Sequence, residues 1–425
     1  MKNKRNKYNI LFIICGGLIG IVGTYLVLVS FNFLKCDCDN NEDCNRFKVN
    51  SDDLLTYSFA KLENNEDNII YSPLSIKYAL SMVNLGADGQ TKVEIDKVLG
   101  TDDLTTYNNI DKTLSLANAI FIKDGYQNLV SQDFINDNVN KYKSEILYDN
   151  FSNVGDVNNW ISDKTFKLIE NILNDGDLTP ETRMVLVNAL AIDMDWEEPF
   201  ENENTFGKTF YLSTGEEYEA TTLFKNSTND VTSYYIDNKI TALAMDFKKY
   251  GDTQLEFLAI MPNDDLADYI DSVTILDIDN ISEQLIKASE TEAGVNVSIP
   301  KFKFDYQLDL QNDLIALGIE EAFDPDKADF SKIMEEPPLY ISKVLHKATI
   351  ELSEEGAKAA ATTVIIMAEN AVAIPEEQGE PIEININKPF MFIIRDKNTK
   401  EEWFVGNVYQ PNSWEEDASK YYGND

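Results

Sequence analysis

The chain has 425 residues, of which 43% are hydrophobic, ample for a large buried core and incompatible with disorder over most of its length. Its 74 acidic residues outnumber 36 Lys and Arg, and a formal net charge of -38 repels nucleic acid and anionic lipid surfaces. No basic stripe lies outside the N-terminus, so no nucleic-acid partner is expected.

In chain order, Lys2, Lys4, Arg5 and Lys7 precede an uncharged apolar run from Ile10 to Leu34. That run is long enough to span a bilayer of roughly 30 Å as a helix. The basic flank should stay inside, with Asp37, Asp39, Glu42 and Asp43 outside. Residues 1–35 therefore read as a single transmembrane anchor, with a cleaved signal segment as the alternative. Either reading places the main domain at the cell surface or in the extracellular space. Residues 36–47 form an acidic linker in which Cys36, Cys38 and Cys44 allow one disulfide and one spare thiol.

Residues 48–411 read as one continuous domain without internal repeats. "SPLSIKYALSMVNLGADG" has an apolar helical face, with Ser72-Pro73 as its start and Gly86 as its stop. "MVLVNALAIDM" is nearly all apolar, as in a strand buried on both faces, and "LEFLAIMP" is another such strand ending at Pro262. "AGVNVSIPKFKFDY" alternates across an interrupting Pro300, and "LYISKVLHKATIELSE" is a long alternating strand. "FMFIIRD" and "EEWFVGNVYQ" form a closing hairpin, and the acidic tail at 412–425 is expected to fray. Strands in mixed order with helices clustered early indicate an α+β fold with large, mostly antiparallel sheets.

His346 is the only histidine, which excludes any site needing two and weakens every Ser-His or Cys-His scheme. Within "SKVLHKATIEL" it reads as a hydrogen-bonded core residue. The chain has no Gly-rich phosphate loop, H-E-x-x-H or C-x-x-C, so no cofactor and no metal are expected. Four N-x-S/T triplets, at Asn150, Asn226, Asn280 and Asn296, carry little weight in so Asn-rich a sequence. A domain of this size without enzyme motifs points to a binder, an inhibitor or a structural protein.

Several long motifs, in order, resemble the serpin family. They are "NIIYSPLSIKYALSMVNLGADGQTKVEI", "LVNALAIDMDWEEPF", "VSIPKFKFDYQLDLQNDLIALGIEEAFDPDKADFSKI", "LYISKVLHKATIELSEEGAKAAATT", "NKPFMFIIRD" and "FVGNVYQP". The resemblance implies about three β-sheets and eight or nine helices with an exposed reactive loop, in a monomer. It also implies suicide inhibition, in which a target protease cleaves the loop and the loop then inserts as a strand of the main sheet. The alternative it leaves is a non-inhibitory serpin acting as a binding or structural module.

The resemblance further implies that Glu354, Glu355, Gly356, Ala357, Lys358, Ala359, Ala360, Ala361, Thr362 and Thr363 form the hinge of that loop. Ala357 stands where the family has Thr or Ser, and Lys358 where it has an acidic or polar residue. Small side chains ease passage between two strands, and alternation sets the odd-numbered residues from Ala357 to Ile365 toward the core with Lys358 outward. Ser72, Ser75, Asn188 and His346 match the polar cluster beneath the point where the sheet opens, and Trp196 matches the Trp at its top. Family spacing places the scissile bond at Asn370-Ala371, within a window from Ala368 to Ile374. The expected partner is an elastase-like, subtilisin-like or asparagine-specific endopeptidase of the serine class, with papain-like cysteine proteases as a further option. Nothing basic near the bond invites a trypsin-like one.

Overall fold

The run Met184–Asp195 forms a strand covered on both faces, and the fold is laid around it. Met184, Leu186, Leu190, Ile192 and Met194 enter the main core, while Val185, Val187 and Ala189 enter a second apolar cluster on the opposite face. The computed structural model describes residues 55–100, 104–179, 181–358 and 380–422, all within one unit spanning residues 49–425.

The first sheet has six strands. In spatial order they are β12 (Phe302–Asp309), β13 (Leu345–Leu352), β14 (Gly356–Lys358), β4 (Met184–Asp195), β2 (Leu114–Lys123) and β3 (Glu145–Asp149). The second, of seven, runs β1 (Ile69–Tyr71), β17 (Glu402–Val408), β16 (Phe390–Asp396), β9 (Leu255–Pro262), β8 (Ile240–Asp246), β7 (Thr232–Ile236) and β10 (Ile286–Lys287). The third, of four, runs β15 (Ile382–Asn385), β11 (Val295–Pro300), β6 (Glu217–Ser227) and β5 (Thr205–Tyr211).

Nine α-helices occur among the described residues. They are α1 (Ser58–Leu62), α2 (Pro73–Asn84), α3 (Gly89–Leu99), α4 (Gln132–Tyr142), α5 (Gly155–Lys164), α6 (Leu266–Ser272), α7 (Ile275–Gln284), α8 (Gln311–Ala316) and α9 (Trp414–Tyr422). Helix α2 is buried along its whole length. Ser72 caps it by accepting from the Ser75 amide, and Pro73 opens its first turn. Val157 and Ile161 of α5 cover the second apolar face of β4. This α+β architecture of three sheets and nine helices is the one expected.

Three expectations differ. The strand expected over residues 339–354 covers only Leu345–Leu352, because upstream the chain takes other partners: the Ile341 amide donates to Ala322 O at 2.9 Å. The tail, expected to fray, forms α9. Glu415, Glu416 and Asp417 occupy its first turn, where carboxylates suit the helix dipole, and Asp417 is buried. No helix among the described residues is long and apolar enough to cross a membrane, and the apolar run from Ile10 to Leu34 lies outside those residues.

Candidate functional site: an unfinished sheet and its hinge

β13 is antiparallel to β14, and β14 to β4, so β4 and β13 run parallel with a three-residue strand between their ends. Gly356 pairs with Asp195, Ala357 with Met194 and Leu352, and Lys358 with Asp193 and Glu351. Among the described residues, the only direct pairing of the two long strands is the bridge between Leu186 and Val344, far along β4. Between these ties, Leu190, Ala191 and Ile192 face Thr349 and Ile350 across a narrow cleft, with Ala357 at its head.

Ala357 is buried in the main core on the same side as its neighbours Leu352 and Met194. The register sets Lys358 opposite Asp193 on β4 and Glu351 on β13. Gly356 fits because it lacks a Cβ, which would fall 2.0 Å from Met194 O. Residues 359–363 of the expected hinge, the bond Asn370-Ala371 and its window from Ala368 to Ile374 lie outside the described residues.

A tight turn joins β13 to β14, with the Ser353 amide donating to Gly356 O at 2.9 Å. Trp196 fixes it: the indole Nε1 donates to Ser353 O at 3.0 Å and the Trp196 amide to Glu355 O at 2.7 Å. Its ring stacks on Phe247 at 4.4 Å and meets Phe257 edge-on. Phe200 contributes its amide to Glu354 O at 2.8 Å. The Glu354 carboxylate is buried and accepts from Lys301 Nζ at 2.8 Å, Thr205 Oγ1 at 3.1 Å and the Tyr421 hydroxyl at 2.5 Å. Burial pushes its pKa up, but the Lys301 charge and these donors outweigh that and hold it below the usual carboxylate range.

Below the cleft, His346 and Ser72 meet directly, the Ser72 amide donating to Nε2 at 3.0 Å. Asn188 donates instead to Asn118 Oδ1, and Asn118 donates to Tyr142 O at 3.2 Å. Ser75 Oγ and Asn188 Oδ1 are buried and have no hydrogen-bond partner among the described residues. The expected cluster is thus two pieces: a helix cap joined to the histidine, and an Asn-Asn pair across β2 and β4. Sequence reasoning missed Asn118, Lys301, Thr205 and Tyr421, whose contacts are remote in the chain.

A family model described as "Serpin (serine protease inhibitor)" matches residues 53–411. The chain belongs to the serpin family. Serpin B6 of Pongo abelii is 31% identical over 82% of this chain and 95% of its own length. An "Uncharacterized serpin-like protein" of Methanosarcina acetivorans is 26% identical over 83% of each. Among solved structures, the thermophilic serpin tengpin in its native state superposes with a TM-score of 0.71 at 28% identity, covering 88% of this chain and 96% of that one. The family carries protease inhibition as its general activity and a target protease as the partner, so the chain is read as an inhibitor and not as an enzyme. The expected cell-surface placement is corrected. No described helix can cross a membrane, and relatives as similar as archaeal serpin-like proteins give that placement no support.

His346 makes this cluster sensitive to pH. Burial lowers its pKa to about 4 from an ordinary 6.5, so the unfolded chain takes up the proton first as pH falls. His346 therefore contributes stability that is complete above about pH 6.5 and is lost progressively toward pH 4, by about 3 kcal/mol. Burial lifts buried Glu402 to about 7, with the opposite slope, so the comparison has to be made against a variant that keeps it. Urea unfolding of His346→Gln beside the parent should show the parent's margin shrinking between pH 6.5 and 4. A margin independent of pH would contradict the neutral, accepting imidazole.

Proposed function

We propose that this serpin inhibits serine endopeptidases as a suicide substrate, its reactive loop entering between β4 and β13 after cleavage. The observation that carries this reading is the parallel pair left unjoined between Leu186–Val344 and the three residues of β14. A segment continuing β14 would pair with both edges at once, each new ladder hydrogen bond contributing net about 0.5–1.5 kcal/mol. The protease's nucleophile forms an acyl bond to the residue before the scissile bond, and water would release the inhibitor unless insertion comes first. Small residues at Gly356, Ala357, Ala359, Ala360 and Ala361 favour fast passage between strands. The scissile bond is proposed at Asn370-Ala371, within the window Ala368 to Ile374, and the targets as elastase-like, subtilisin-like or asparagine-specific enzymes.

Incubation with a panel of such proteases should yield, for the cognate one, a covalent complex that survives SDS, and mass spectrometry of the released peptide should end the loop near Ala371. Loop cleavage by every enzyme with no trapped complex would overturn the proposal.

The core-facing position of Ala357 supports a second expectation. In an inserted strand Ala359 would share its face by alternation, and an unpaired charge there would cost several kcal/mol on burial. Ala359→Asp should convert the inhibitor to a substrate, cleaved with little complex, while Ala360→Asp should do much less. Equal effects would refute the face assignment.

A further inference from the structure

Helix α9 begins beyond the residues that the family model matches, 53–411, yet it is built into the site. Trp414 lies on β5 at Gly207, where a Cβ would come within 2.5 Å of its Cδ1, and stacks on Tyr421. Asp417 is buried against β6: its Oδ2 accepts from Thr221 Oγ1 at 3.0 Å and Asn412 Nδ2 at 3.3 Å, and Lys420 sits on Oδ1. Trp414, Asp417 and Tyr421 thus form one inward stripe at i, i+3, i+7 spacing.

The end of that stripe reaches the hinge. The Tyr421 hydroxyl donates to Glu354 Oε1 at 2.5 Å and accepts from Lys301 Nζ at 2.8 Å, while Lys301 also pairs with Glu354 Oε2 at 2.8 Å. Lys301 is itself pinned through its backbone to Thr221 and Asn412, so the helix, Lys301 and the Glu354 carboxylate are tied to one another. Glu354 sits at the turn from which β14 starts.

We propose that α9 is a clasp on the reactive-loop hinge, with Tyr421 as a positioning residue that holds Glu354 and sets how fast the loop enters the sheet. The consequence for inhibition rests on the inhibitory function proposed above; the clasp itself does not. A firmly held turn makes every added residue of β14 fall into register with β4 and β13. A loosened turn lets the inserting strand search, and hydrolysis of the acyl bond gains on insertion.

The test uses the full chain carrying Tyr421→Phe, which keeps the ring on Trp414 and removes only the hydroxyl. Hydrogen exchange is read at the amides of Trp196 and Phe200, which bond Glu355 O and Glu354 O, and at Leu258 and Ile393 in the core of the seven-stranded sheet. Exchange at the hinge reporters should rise about 10-fold with the core amides unchanged, and more inhibitor should be consumed, by about 5-fold, for each protease trapped. Unchanged exchange at the hinge would overturn the clasp, and so would equal acceleration at all four amides, which would mean only a general loss of stability. If the parent traps no protease at all, the inhibitory reading fails while the exchange result still decides the clasp.

Discussion

Everything at the site depends on two parallel strands that, among the described residues, pair directly at one end and are spanned by a short strand at the other. A central strand of a sheet normally pairs along its whole length, because a buried backbone amide or carbonyl without a partner is expensive. Here β4 and β13 are bridged at Leu186–Val344 and spanned by Gly356–Lys358 at the other end, and the stretch between them lines a cleft. Between those two ties the described residues leave β4 and β13 unpaired, and the proposed function rests on that gap.

Such an arrangement must be held at both ends. At one end the indole of Trp196, wedged among Phe247 and Phe257, fixes the turn through Ser353 and Glu355. Glu354 is tethered from three sides by Lys301, Thr205 and Tyr421. Lower down, His346 on β13 binds the capped start of α2, tying that side of the cleft to the buried helix. A neutral imidazole can accept that amide and a protonated one cannot, which makes the tie conditional on pH. The first restraint joins aromatic packing to hydrogen bonds, and the second is a single hydrogen bond.

Much of this was legible in the sequence. The period and composition of β4, β9 and α2 announced buried elements with nearly the bounds observed, because each is dominated by local pattern and by Pro or Ser punctuation. The roles of Ser72, His346 and Trp196 came from family resemblance, and their geometry supplied the physical content. Partners distant in sequence were not legible: Tyr421 and Glu354 are 67 residues apart, and Asn118 and Asn188 are 70 apart. Helix α9 was hidden by its own polarity, although the i, i+3, i+7 spacing of Trp414, Asp417 and Tyr421 was a signal that could have found it.

The measurement closest to the central claim is the thermal midpoint of the chain before and after its loop is cut between residues 359 and 379. If the cut segment completes the sheet, some ten new ladder bonds should raise the midpoint by more than about 10 °C. A cut chain that melts at or below the midpoint of the intact one would contradict a strand-sized vacancy between β4 and β13.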